Sequence, residues 1–178
     1  FSNEMSYPLF RLIGDITPRI FLQAFESTGV KRGGIIQVFD KSYYGFHICK
    51  LKTQNFVVAW NVLDLLTDTI VIQFFSSSTG PLGNPLEIIK STAMIITYTI
   101  MDLDEEHFVI AWVVDKSSLL FPSYTIIAQK FSSDGTSVSP KITLTTTSSY
   151  DGSLRIGRLT NHRFVLVWKE GSILKGLV

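Results

Sequence analysis

The sequence predicts an all-β protein, a propeller-like array of four-stranded antiparallel units, about three in number and incomplete or open, with a β-sandwich or β-solenoid as the alternative. Three observations carry that expectation. A five-residue pattern recurs as Phe56-Val57-Val58-Ala59-Trp60, Phe108-Val109-Ile110-Ala111-Trp112 and Phe164-Val165-Leu166-Val167-Trp168, and it holds all three tryptophans. A Gln-x-Phe step followed by small polar residues and a glycine recurs as Gln23, Phe25, Gly29, then Gln73, Phe75, Gly80, then Gln129, Phe131, Gly135. The pentad repeats after 52 and 56 positions and the Gln-x-Phe step after 50 and 56, so the two keep step as parts of one unit. The segments are also short and rich in β-branched and aromatic residues, and no stretch shows a helical period.

The chain reads as a single repeat domain over residues 1–178, divided into units near 1–45 (partial), 46–94, 95–152 and 153–178 (partial). Residues 1–19 are the least regular, with Pro8 and Pro18 bracketing an apolar Leu9-Phe10-Arg11-Leu12-Ile13 that suits one strand. Residues 20–25 and 34–39 read as two strands joined by a turn containing Gly29, Gly33 and Gly34. Lys31-Arg32-Gly33-Gly34 is read as a hairpin turn, because it matches no phosphate-cradling spacing and leads into a strand. Strands are then expected near 46–51, 55–61, 69–75 and 86–90, and again near 95–103, 107–114, 124–131 and 141–146. Serine-rich clusters at 76–81 and 132–135 supply the turns between third and fourth strands. A last unit has strands near 153–159, 163–168 and 172–178.

The pattern within strands selects the architecture. Phe46 and Ile48 match Tyr98 and Ile100, and also Leu154 and Ile156, an alternation that gives the first strand of each unit one more tightly packed face. The pentad is apolar throughout, so both faces of the second strand should be covered, as between radially stacked blades. The fourth strand Lys141-Ile142-Thr143-Leu144-Thr145-Thr146 alternates with threonine, which suits an outer strand. Phe56, Trp60, Phe108, Trp112, Phe164, Trp168, Gln73 and Gln129 are therefore expected to be structural residues of the repeated core.

These motifs resemble the roughly 50-residue tandem repeats of large secreted and surface proteins of bacteria and ciliates. The resemblance covers about residues 20–178. It departs from that pattern where Asp-Gly usually joins the first two strands, since this chain has Thr53-Gln54-Asn55, Glu105-Glu106-His107 and Asn161-His162-Arg163. What it implies is an extracellular or cell-surface, non-enzymatic role, structural or adhesive.

Composition narrows the partners. A net charge of +1 on 178 residues offers no field for nucleic acid or an anionic membrane, and no apolar run approaches the roughly 20 residues of a spanning helix. The single cysteine, Cys49, excludes an internal disulfide and falls at the repeat position of Met101 and Gly157, a slot for a small or soft buried side chain. Asp102-Asp104-Glu105-Glu106 lacks the spacing of an EF-hand loop, and the corresponding turns are not acidic. His47, His107 and His162 fall at different repeat positions without metal-ligand spacing. Arg155, Arg158, Arg163 and Lys169 make the last unit locally basic, which suits a solvated edge, or an acidic partner or glycan. No Gly-x-Ser-x-Gly elbow is present. No cofactor and no metal is expected.

The function expected is thus a structural, self-assembling or adhesive repeat module whose partner is itself, head to tail in a ring or filament, or another protein. The alternative is a glycan-binding propeller of lectin type, for which Tyr43, Tyr44 and Tyr150 are the candidate ligand-facing residues, since Ser42-Tyr43-Tyr44-Gly45 is echoed by Ser149-Tyr150-Asp151-Gly152. A propeller hydrolase would have to use Asp102 and Asp104. The chain begins inside one unit and stops in the third strand of another, so the expectation is that it is a segment of a longer chain or that copies join end to end.

Overall fold

The structure, a computed structural model, describes residues 20–39, 45–51, 55–76, 80–161 and 163–177. Among these residues it is all-β, with thirteen strands and no helix. The first sheet pairs β1 (Ile20–Phe25) with β2 (Lys31–Phe39). The second is a meander of β3 (Phe46–Lys50), β4 (Asn55–Leu63), β5 (Asp68–Ser76) and β6 (Gly80–Ser91). The third repeats it with β7 (Ile95–Asp102), β8 (His107–Asp115), β9 (Tyr124–Ser132) and β10 (Ile142–Thr147). The fourth has β11 (Leu154–Arg158), β12 (Phe164–Glu170) and β13 (Ile173–Leu177). All pairings are antiparallel, neighbours in a sheet are neighbours in sequence, and no sheet closes on itself. The expected strand at 9–13 lies outside the described residues.

The register explains why the two sequence motifs keep step. Phe56 of the pentad lies opposite Phe75 of the Gln-x-Phe step, and Phe108 lies opposite Phe131. Both pairs stack, with ring centroids 5.3 and 5.5 Å apart. Cross-strand aromatic pairs of this kind are a unit of sheet stabilisation, so a shift of one motif relative to the other would break the pair.

The four sheets pack face to face in chain order, and β4 and β8 are covered on both sides. Ile20 and Val38 of the first sheet meet Val58, Trp60, Val71 and Phe75 of the second. The other side of the second sheet, with Val57, Ala59, Ile70 and Ile72, meets Tyr98, Phe108, Ile110 and Trp112 of the third. The far side of the third, with Val109, Ala111, Val113 and Ile126, meets Leu154, Leu166 and Trp168 of the fourth. Every seam has the same polarity: the tryptophan side of a sheet faces the sheet before it. The first strands come together across the seams, β7 lying against β3 and against β11. The fourth strands β6 and β10 are largely exposed, as the alternating threonines of β10 require.

One expectation is corrected. Gly33 and Gly34 do not turn the chain; the reversal is the Glu26–Val30 turn, where the Gly29 amide donates to the Glu26 carbonyl at 2.9 Å. β2 begins at Lys31, and the two glycines sit inside it at a bulge opposite Gln23. The same bulge recurs opposite Gln73, where Ile72 pairs with Leu86 but Phe74 pairs with Leu82, so β6 begins at Gly80 and not near 86. Gly33 and Gly83 hold left-handed φ values of 68° and 72°, which glycine adopts without a Cβ penalty.

The repeated glutamine is what fastens this bulge. Gln23 Nε2 donates to the Gly33 carbonyl at 3.4 Å, Gln73 Nε2 to that of Gly83 at 3.1 Å, and Gln129 Nε2 to that of Ser139 at 2.9 Å. In each case the acceptor is ten residues downstream of the donor; Gly33 and Gly83 lie in the bulge and Ser139 lies ahead of β10, so the glutamine meets a carbonyl outside the regular ladder.

Candidate functional site

A buried polar cluster lies at the seam between the second and third sheets. Asp68 opens β5 and is buried; its Oδ1 accepts from Asn61 Nδ2 at 3.3 Å and its Oδ2 from the Ile95 amide at 2.9 Å, where β7 begins. The Tyr98 hydroxyl donates to the Ala59 carbonyl at 2.8 Å, and the His47 ring meets the Tyr98 ring edge-on with centroids 4.8 Å apart. Gly45, His47, Asn61, Thr97 and Tyr98 border a cavity of about 230 Å³. Burial pushes the Asp68 carboxyl and the Tyr98 phenol up, hydrogen bonds from Ile95, Asn61 and Thr69 partly opposing the rise at Asp68. Burial and, secondarily, the charge of Arg155 push the His47 imidazole down.

Perturbed titrations in a cavity are the mark of an active site or of a structural network, and the hydrogen bonds decide between them here. Both Asp68 oxygens are engaged within the seam and the Tyr98 hydroxyl is spent on a backbone carbonyl, so the cluster clasps β7 to β4 and β5. One unit later the corresponding positions are Val113, Tyr124 and Leu154, and that seam is apolar. The clasp is therefore not repeated in that seam. A repeat pattern could not reveal it, because the polar residues are what distinguishes this copy from the next.

The pH dependence of this seam is testable. A histidine whose folded pKa lies below its unfolded value of 6.5 supports folding above that pH, and the support is lost as the pH falls through the lowered folded value. His47→Thr, the residue at the equivalent position 99, should flatten the decline in stability measured by urea unfolding from pH 7.5 to about pH 5. An unchanged slope would assign the decline to other groups.

The remaining expected residues fall as follows. Phe56 and Trp60, Phe108 and Trp112, and Phe164 and Trp168 lie in three successive seams. Tyr43 and Tyr44 lie outside the described residues. Tyr150 is turned inward, its ring 6.0 Å from that of Tyr124 at the seam between third and fourth sheets. Asp102 is paired with Arg158 of β11 at 2.6 Å, and Asp104 with His107 of its own turn at 2.7 Å. Cys49 is buried, and burial together with the nearby Asp102 pushes its thiol up to about 12, so it stays a protonated, packed side chain. Among the described residues no three His, Cys, Asp or Glu side chains come together as metal ligands. No helix of the described residues is long and apolar enough to cross a membrane.

Glu105 and Glu106 are exposed in the β7–β8 turn, whose backbone is tied down by Leu103 and Asp104 amides donating to the His107 carbonyl at 2.9 and 3.3 Å. Replacing both with glutamine should change unfolding free energy by no more than about 0.5 kcal/mol. A calcium-dependent rise in melting temperature that the double variant loses would assign the turn a ligand.

The chain matches no protein-family model, no curated protein and no solved structure.

Proposed function

We propose that the protein is a non-enzymatic structural or adhesive repeat module of propeller type, which acts by head-to-tail assembly at an extracellular or cell-surface location. The propeller reading is supported by convergence of the first strands. In a flat stack first and fourth strands would approach their counterparts in the next sheet equally, yet β7 lies against both β3 and β11 while no comparable contact joins β6 and β10. Asp102 of β7 likewise reaches Arg158 of β11, while the fourth strands stay outside. Strands that meet on one side and splay on the other describe a fan about an axis. The location rests on the resemblance of the repeats to those of secreted and surface proteins.

The observation that carries the assembly is the outer face of the fourth sheet. Val165 and Val167 of β12 occupy the positions of Val57 and Ala59 in β4 and of Val109 and Ala111 in β8, all four of which the following sheet buries. Val165 and Val167 themselves are partly exposed, and all five residues of β13 beside them are exposed. At the other side, Phe46 and Ile48 of β3 are exposed on the face that carries Trp60. The outer face of the fourth sheet is thus one half of a kind of seam the chain already makes with itself, and joining it to the leading side of another copy, near the exposed Phe46 and Ile48, is a heterologous contact that gives rings or fibres.

Light scattering of the purified chain over micromolar concentrations is the test. The wild type should associate with rising concentration, and Val165→Lys with Val167→Lys should hold it as a folded monomer. A folded wild-type chain that stays monomeric throughout would refute the reading.

A further inference from the structure

The turns joining second to third strands break the ordinary rules of turn chemistry twice, in the same way. After β4 the turn is Asp64-Leu65-Leu66-Thr67, closed by the Asp64 amide donating to the Thr67 carbonyl at 2.9 Å. After β8 the hairpin continues through Lys116 and Ser123 to Ser118-Leu119-Leu120-Phe121, where the Ser118 and Phe121 amides donate to each other's carbonyls at 3.0 and 3.3 Å. Central turn positions favour glycine, asparagine, aspartate and proline. Here both are leucine in both turns, 98% and 83% exposed at Leu65 and Leu66, 101% and 77% exposed at Leu119 and Leu120. The fold itself does not require them, since the equivalent turn after β12 is Gly171-Ser172, with the glycine at φ 57°.

Both tips leave the same end of the stack. The first residues of β7 run between their bases: the Ile95 amide donates to Asp68 at the foot of one, and the Asp115 amide to the Met94 carbonyl at the foot of the other, each at 2.9 Å. Phe121 and Met94 add exposed apolar surface there. The opposite end carries Glu26, Asp104, Glu105, Glu106 and Asp134 in its turns. The first end therefore differs in presenting paired leucines at its turn tips, above a base that also holds Asp64, Asp115 and Lys116.

We propose that the Leu65-Leu66 and Leu119-Leu120 tips dock the protein on the surface of a zwitterionic lipid bilayer, by insertion into the headgroup and upper acyl region. The tips are convex, so they offer a partner no pocket to fill, and a bilayer needs none. Leucine is under-represented among the hot spots of protein interfaces, which favour Trp, Tyr and Arg, whereas it suits an apolar phase. Insertion also demands that backbone groups be paired internally. The turns meet that demand at Leu65, whose amide donates to Asp64 Oδ1 at 2.7 Å, and at the paired amides of Ser118 and Phe121. Leu119 stands four residues past the last ladder pair, Asp115 with Tyr124, which places it roughly 10 Å beyond the sheet. That reach matches the depth of interfacial insertion, about 5–10 Å. With Asp64 and Asp115 beside Lys116, the base of the tips has no cationic excess, so anionic lipid is not called for.

The test is flotation of the full chain with phosphatidylcholine vesicles, which separates binding from self-association. The wild type should float, and Leu→Ser at 65, 66, 119 and 120 together should abolish flotation while leaving the melting temperature unchanged. Serine at either turn alone should weaken partitioning by about tenfold or more. Because Cys49 is buried, Leu119→Cys offers a selective site for an environment-sensitive dye, whose emission should shift to the blue on vesicles. The proposal is overturned if the wild type does not float, if the four-serine variant floats as well, or if the dye reports no change on floating protein. Flotation only with anionic vesicles, abolished by salt, would also overturn it. So would tip-dependent dimers without flotation, which would make the occupant a second copy of the chain. The sheet faces proposed for head-to-tail assembly are separate from these tips, so either proposal can fail alone.

Discussion

Trp112→Ala is expected to destabilise the protein by about 3–5 kcal/mol, the cost of truncating a fully buried tryptophan. The indole is sealed between the second and third sheets, 1% exposed, in the same apolar cluster as Tyr98, Phe108 and Ile110 and facing Val57, Ala59, Ile70 and Ile72 across the seam. Lys141 lies 5.9 Å above its ring, adding a cation–π contact that alanine also removes. The cavity would open in the middle of the stack, where sheets on both sides hold the walls apart and relaxation is least able to close it. The same change at Trp168, which lies at the outer seam, should cost less. For a chain of this size the loss corresponds to a fall of roughly 6–20 °C in melting temperature. Chemical unfolding of both variants measures the difference. A Trp112→Ala protein with wild-type stability would mean that the indole is not a packing residue and that the pentad serves something other than the core.

How much of this was legible in the sequence depends on whether a feature repeats. The pentad and the Gln-x-Phe step repeat, so the strands, their order in each meander and the coverage of both faces of β4 and β8 could be read in advance. The bulge at Gly33 and Gly34 could not, because glycine signals a left-handed φ without saying whether the chain reverses or only bulges. The spacing of ten residues from each repeated glutamine was the available clue, since a side chain that recurs at a fixed distance from an irregular strand is suited to fasten it. The Asp68 clasp left no trace because its counterparts are Val113, Tyr124 and Leu154. The Leu-Leu turns fell between the expected strands 55–61 and 69–75 and between 107–114 and 124–131, but their exposure was hidden, because an apolar residue in a turn suits packing against a neighbour as well as facing water, and only the structure shows Leu65, Leu66, Leu119 and Leu120 turned outward.

A motif residue is worth what its surroundings make of it, and the Phe of the Gln-x-Phe step allows that to be measured within one chain. Phe131 is 1% exposed and stacks on Phe108, whereas Phe25, at the same motif position in the first sheet, is 59% exposed. Phe131→Ala should therefore cost about 3–5 kcal/mol, the loss of a buried aromatic side chain plus the cavity behind it. Phe25→Ala should stay within about 1 kcal/mol, since most of the ring already faces water. Part of the Phe131 cost is the stacking itself, and a double-mutant cycle with Phe108→Leu should return a coupling of about 0.5–1.5 kcal/mol. Urea unfolding of the four proteins of that cycle and of Phe25→Ala supplies all the values. Equal losses at positions 25 and 131 would show that the motif acts through local strand preference alone. The unequal result follows if the repeat is held together by the register that brings one motif over the other, in which case the phenylalanine stabilises a unit only where its partner is in place to receive it.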